Sequence, residues 1–290
     1  MQTEPTRLSA YKANIIEGLF VNTADEAYVA ARWAYLNQLH LLFFWNAVHA
    51  LEKYMKAVLL FNDASSICDQ SGKFYHHNVI VLLESVKQIG GNLLPDILEV
   101  PKEIGTVSSP SESLEVFIRR LYKYGDPNNR YDFYGFAVQE ADIFKLDQTV
   151  FAIKRLCCPL NAYYFSEDQG RRGLPDYLWR DVLNRSDADS WVCRTTSNLR
   201  RLADDGSADL KRAIYELNFQ FAPIDYRHSK TEFYSASTTS ALLRRIFLPF
   251  KSGSQEQLDD ARILARWVLD KIKVGREDRR DLEKIIKSLP

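Results

Sequence analysis

From Phe43 to Phe61 the chain reads FFWNAVHALEKYMKAVLLF, apolar on almost every side. Its charged, amide and imidazole residues are Asn46, His49, Glu52, Lys53 and Lys56, and spacings of three and four put all five on one stripe. The pattern predicts a long helix inside a bundle, with one narrow polar seam reaching a neighbour, a cleft or water.

Helical periodicity dominates the flanking sequence too. A helix over Ala24–His40 is predicted after Thr23 as N-cap, with Glu26 as capping-box partner. Ala27, Ala30, Ala31, Ala34 and Tyr35 give it a small-residue face suited to close approach. A polar loop from Asn62 to Tyr75 leads to a third helix over about Asn78–Ile89, stopped by Gly90 and Gly91. Residues 95–113 contain Pro95, Pro101 and Pro110 and read as a long irregular loop. A fourth helix covers about Glu112–Tyr124, followed by the turn-rich GDPNNRYDFYG and a fifth helix over about Val138–Leu156.

Ser166–Asp176, polar with two glycines and a proline, is the best candidate boundary. Beyond it, helices are predicted at about 176–185, 190–203, 208–221, 236–248, 255–273 and 276–288. Only residues 224–236 read as a short extended segment. The expected fold class is all-α: an antiparallel up-and-down helical bundle over residues 1–160, then a less regular helical region over 161–290. That second region either packs on the bundle as one unit or forms a domain of its own.

Composition narrows the function classes. The 290 residues carry 38 Lys plus Arg against 38 Asp plus Glu, so no global charge steers the chain to nucleic acid or anionic lipid. Any basic patch must be built by the fold. Four cysteines, Cys68, Cys157, Cys158 and Cys193, form no C-x-x-C, which argues against a zinc knuckle, a redox pair or a disulfide scaffold. No apolar run has signal-peptide or membrane-spanning length, so the expected location is a reducing cytoplasm, without a membrane partner.

Strong catalytic and nucleotide motifs are absent: no G-x-G-x-x-G, Walker loop, H-E-x-x-H or G-x-S-x-G occurs. No metal site or cofactor is expected. The candidate ligand-binding residues are Asn46, His49, Lys53, Lys56, His77, Arg130 and Tyr131. The seam around His49 can bind phosphate or position a base, or it can be the one wet face of a buried helix with Glu52 and Lys56 paired. His77, with His76, can cap the third helix or face a ligand. Arg130 beside Tyr131, Phe133 and Tyr134 can stack on a base or grip a phosphate, or the aromatics can close the bundle's end. Asp187 and Asp189 read as a helix start, and Cys157–Cys158 as core.

Thr23 to Asp63 resembles the opening helix pair of the HEPN domains. The match lies in the alanine-rich first helix, in A-x-H-A-x-E-K-Y-x-K-A at Ala47–Ala57, and in HHNVIVLLESV from His76. RRLYKYGDPNNRYDFYG resembles the family's late aromatic turn, so the likeness spans about residues 20–160. It implies a bundle of four or five helices that often dimerises, in proteins of toxin–antitoxin, phage-defence and RNA-processing systems. Many members are metal-independent endoribonucleases with an R-x4-6-H motif. This chain departs from that motif: Arg32 and His40 come nearest, with seven residues between them, and stand about 80° apart on one ideal helix. The expectation is therefore a non-catalytic member that binds RNA, a nucleotide or a protein partner, as a homodimer. The alternatives are a divergent ribonuclease using His49 with Lys53, or His76 with Arg130, and a structural assembly module.

Overall fold

The computed structural model describes residues 7–101, 111–127, 129, 135–163, 177–185, 198–229, 235–272 and 274–288. The protein is all-α: helices form the bundle, and the strands among the described residues make two short antiparallel pairs. Helix α1 (Arg7–Ile16) passes through a π-helical turn, Glu17–Val21, directly into α2 (Asn22–Leu36). Ile16 and Asn22 keep right-handed helical angles, so Thr23 lies inside a helix rather than at its start. Its hydroxyl donates back to Leu19 O at 2.8 Å, and the expected capping box does not form.

The helix also ends earlier than predicted. It stops at Leu36, Gln38 takes a φ of 60°, and α3 (His40–Phe61) starts anew. Arg32 and His40 thus belong to different helices, and a single-helix pitch does not describe their separation. Small buried residues, Ala24, Ala31 and Ala34 on α2 and Ala47 and Ala50 on α3, let the two helices close on each other. Ala27 and Ala30, expected on that face, lie half-buried at its margin.

Helix α3 is the centre of the bundle and buries Phe43, Phe44, Leu51, Tyr54 and Met55 completely. Helix α4 (Val79–Gly90) starts where the Asn78 side chain accepts from Ile80 N and Val81 N, at 3.0 and 3.2 Å. It buries Val79, Leu82, Leu83 and Val86. Helix α5 (Leu114–Gly125), capped by Ser113, buries Phe117, Ile118 and Leu121. A Cβ on Gly125 would stand 2.4 Å from Phe44 O, so only glycine lets the end of α5 come this close to α3. Helix α6 (Asp142–Lys154) completes this part of the core.

Extended pairing replaces two expected features. Within the predicted 95–113 loop, β1 (Ile97–Leu98) pairs with β2 (Glu112–Ser113). Val138, expected at a helix start, lies in β3 (Phe136–Val138), which pairs with β4 (Ala236–Thr238). Backbone groups committed to that ladder cannot begin helices. The predicted helix at 236–248 accordingly becomes β4, a π-helical turn at Leu243–Phe247, and α10 (Leu248–Ser252).

The hydrophobic core does not stop at residue 160. After α7 (Trp179–Leu183), helices α8 (Asn198–Asp205) and α9 (Ala208–Tyr215) bury Leu199, Ala203, Ile214 and Tyr215, and these share one core with the bundle. A second, smaller core joins Ile246 to Ala261, Ala265 and Val268 of α11 (Gln255–Lys271) and Leu282 and Ile285 of α12 (Arg276–Lys287).

A buried polar cluster ties α9 to the bundle. Arg32 is 0% exposed and pairs through Nη1 with Asp147, while Nε donates to Ala213 O at 2.9 Å and Nη2 to Glu216 O. The Tyr28 hydroxyl donates to Asp147 at 2.6 Å and accepts from Asn218 Nδ2 at 3.0 Å. Burial works against the Arg32 charge, but Asp147 and Tyr28 outweigh it and hold the guanidinium above its ordinary value. Removing one partner of such a pair leaves the other charged and dry. Arg32→Ala should therefore lose about 3–5 kcal/mol in urea unfolding, and an Arg32→Met/Asp147→Leu double variant much less. A loss below about 1 kcal/mol for Arg32→Ala would contradict this account.

Candidate functional site

At about 100° per residue, Leu42, Trp45, His49, Glu52 and Lys56 follow one another along one face of α3. Asn46 and Lys53 form the other edge of the same stripe. The stripe is not uniform. At its start, Leu41, Leu42 and Trp45 join Tyr124, Asp126 and Asn129 around a small apolar pocket of about 280 Å³. At the next turn the His49 ring packs on Trp45, with ring centroids 4.8 Å apart. Beyond it, the stripe turns charged.

Glu52 is the pivot of the charged end. It is 6% exposed and accepts from Lys56 Nζ at 2.7 Å and from His77 Nδ1 at 3.1 Å. The Glu52–Lys56 pair agrees with the spacing of four; the His77 contact joins residues 25 apart and had no local signal. A carboxylate only accepts, so Nδ1 of His77 is the donor, and in the neutral ring Nε2 is the acceptor, on a largely exposed side chain. A carboxylate that orients an imidazole in this way is half of a general-base arrangement. Tyr122 of α5 belongs to the same neighbourhood: burial raises its hydroxyl pKa, and Asp126 and Glu52 add to the shift.

The remaining candidates are placed differently. Asn46 Nδ2 donates to Leu42 O of its own helix at 2.8 Å, and Lys53 Nζ donates to Thr23 O at 3.1 Å, toward α2. His76 turns its ring to Phe74, 5.9 Å between centroids, while its carbonyl accepts from Lys56 at 3.4 Å. Arg130 and Tyr131 lie outside the described residues, as do Phe133, Tyr134, Asp187, Asp189 and Cys193. Arg120 upstream is fully engaged with Glu112 and Asp142, its Nη2 at 2.8 and 2.7 Å from them. Cys157 and Cys158, read as core, are only partly buried.

Among the described residues, no group of three or more His, Cys, Asp or Glu side chains is arranged to hold a metal ion. No described helix is long and apolar enough to cross a membrane.

Burial lowers the pKa of His49, with Glu52 pulling up and Lys53 and His77 pushing down; burial likewise lowers His40 and His228. The unfolded chain then holds protons that the folded chain releases. This stability is present above the ordinary imidazole value of about 6.5 and is lost as pH falls from there toward the folded pKa values. The denaturation midpoint should fall between about pH 7 and 5, and His49→Gln should flatten that slope. An unchanged slope would remove His49 from the set. Comparison with protein-family models, curated proteins and solved structures finds no match to this chain.

Proposed function

We propose that this chain is a non-catalytic, HEPN-like binding protein that takes RNA or a nucleotide on the outer face of α3. The observation that carries the reading is the order of side chains along that face: an apolar pocket beside Trp45 and Tyr124, then His49, then Glu52 held by His77 and Lys56. An aromatic wall suits a base, and ammonium and imidazole groups one to three turns further along suit its phosphates. Glu52 offsets one of the two lysines, so the stripe keeps a small positive surplus on a chain of zero net charge. The arginine nearest the family's catalytic position is locked in the buried cluster with Asp147, which supports binding without cleavage.

One observation favours a second reading. The Glu52–His77 pair presents an oriented imidazole with no metal requirement, as a divergent endoribonuclease would need. A dimer formed through the bundle, as in the resembled family, and a role in a defence or toxin–antitoxin system remain part of the proposal.

The test uses labelled single-stranded and structured RNAs and a nucleoside triphosphate, in chelator, followed by anisotropy and by gel. Binding without cleavage is expected, with Trp45→Ala weakening it about 5- to 100-fold and Lys56→Gln reducing its salt dependence. Cleavage that His77→Ala abolishes would replace the binding reading by the second one. Binding of neither RNA nor nucleotide, or binding unaffected by Trp45→Ala, would sink the assignment of the site.

A further inference from the structure

A separate cavity of about 430 Å³ lies where the π-helical turn, the start of α2, the end of α6 and α7 meet. Its polar lining carries both signs: Glu17 and Asp25 are acidic, Lys154 and Arg155 basic. Phe61 and Trp179 supply aromatic walls. Glu17 is exposed at the rim, while Asp25 is 0% exposed.

Asp25 is only half satisfied. The Tyr54 hydroxyl and the Lys154 ammonium both donate to Oδ1. Oδ2 is buried and has no hydrogen-bond partner among the described residues. A buried carboxylate oxygen without a donor is costly, and such groups call for an explanation. The helix geometry adds a second observation. Residues eight apart on a regular α-helix stand about 80° from each other. The wider π-helical turn between Glu17 and Asp25 removes most of that offset, so both carboxylates line the same cavity. Single π-helical turns of this kind are frequent at functional sites.

We propose that this cavity binds a free α-amino acid with an apolar side chain. The ammonium group faces Glu17 and the Asp25 carboxylate, whose Oδ2 becomes its acceptor once that side chain turns toward the cavity. The carboxylate lies toward Lys154 and Arg155, and the side chain packs on Phe61 and Trp179. The four ionic groups already sum to zero, so a zwitterion enters without leaving a net charge behind, whereas a simple anion or cation does not. Among the described residues no three His, Cys, Asp or Glu side chains are arranged to hold a metal ion, and two carboxylates already facing basic groups make a divalent cation the poorer fit. The volume falls within the range of small-molecule sites.

The experiment is calorimetric titration of the full chain with L-leucine and L-phenylalanine. Each is compared with its des-amino acid, 4-methylpentanoate or 3-phenylpropanoate, and with its decarboxylated amine. Saturable binding of at least one amino acid, and of neither analogue, is expected. Asp25→Asn should weaken it about 10- to 100-fold, since it loses a hydrogen bond to a charged group. Asp25 also holds Tyr54 and Lys154, so this variant must first show a wild-type circular dichroism spectrum. Glu17→Gln, at the exposed rim, keeps the fold and should weaken binding by a factor of about 2 to 5. His49→Gln should leave it unchanged, which separates this site from the α3 face. Equal binding of amino acid and des-amino acid would overturn the proposal, as would no saturable heat with either amino acid. A folded Asp25→Asn or a Glu17→Gln variant that binds as wild type does would overturn it too.

Discussion

A guanidinium taken out of water must be met by acceptors on every side, and the packing of this protein is arranged around one such group. Arg32 projects from α2 and finds its counter-charge on α6 and its remaining acceptors on main-chain carbonyls of and just beyond α9. These partners cannot be supplied by the first helices alone. The requirement to surround Arg32 therefore sets where α6 and the 208–218 segment sit. Tyr28 and Asn218 then close the remaining valences of Asp147 and of the phenol. Apolar burial supplies most of the driving force, but it is tolerant of sliding; a fork of directed hydrogen bonds is not.

The same device recurs one layer away. Arg120 of α5 bridges Glu112 and Asp142, and Lys145 adds a third contact to Glu112 at 2.9 Å. Burial opposes the Glu112 charge, yet the bonds from Arg120 and Lys145 prevail and keep its carboxyl below the usual range. Two ionic clusters thus hold α2, β2 and α5 against α6, and neither is available to a ligand. On the α3 stripe, by contrast, Glu52 gathers Lys56 and the largely exposed His77 at the surface of the bundle.

How far the sequence could be read follows from the range of the interactions. The apolar run of α3, the Asn78 start of α4 and the helices of the C-terminal pair depend on spacings of three and four, and their patterns are local. The Glu52–Lys56 pair is local in the same way. Thr23 misled because a cap is decided by the backbone before it, and that backbone was already helical. Val138 and Ala236 misled because a strand two or three residues long is made by its partner almost a hundred residues away. Arg32 among alanines, and Asp147 between Leu146 and Val150, were visible oddities on apolar faces; their pairing joins residues 115 apart. His77 was singled out on its own, but Glu52 as its orienting partner was not legible from either segment.

Long separation has a kinetic side. The donors of Arg32 find Ala213 O and Glu216 O after 181 and 184 intervening steps of chain. During synthesis at about 5–20 residues per second, α2 and α3 wait roughly 10–40 s for the segment that finishes their core. Over that interval Tyr28 and Arg32 face solvent from a surface that is otherwise apolar. Folding of this protein is thus bound to its own completion, and nascent chains ending before residue 218 are the species most exposed to aggregation and to capture by chaperones.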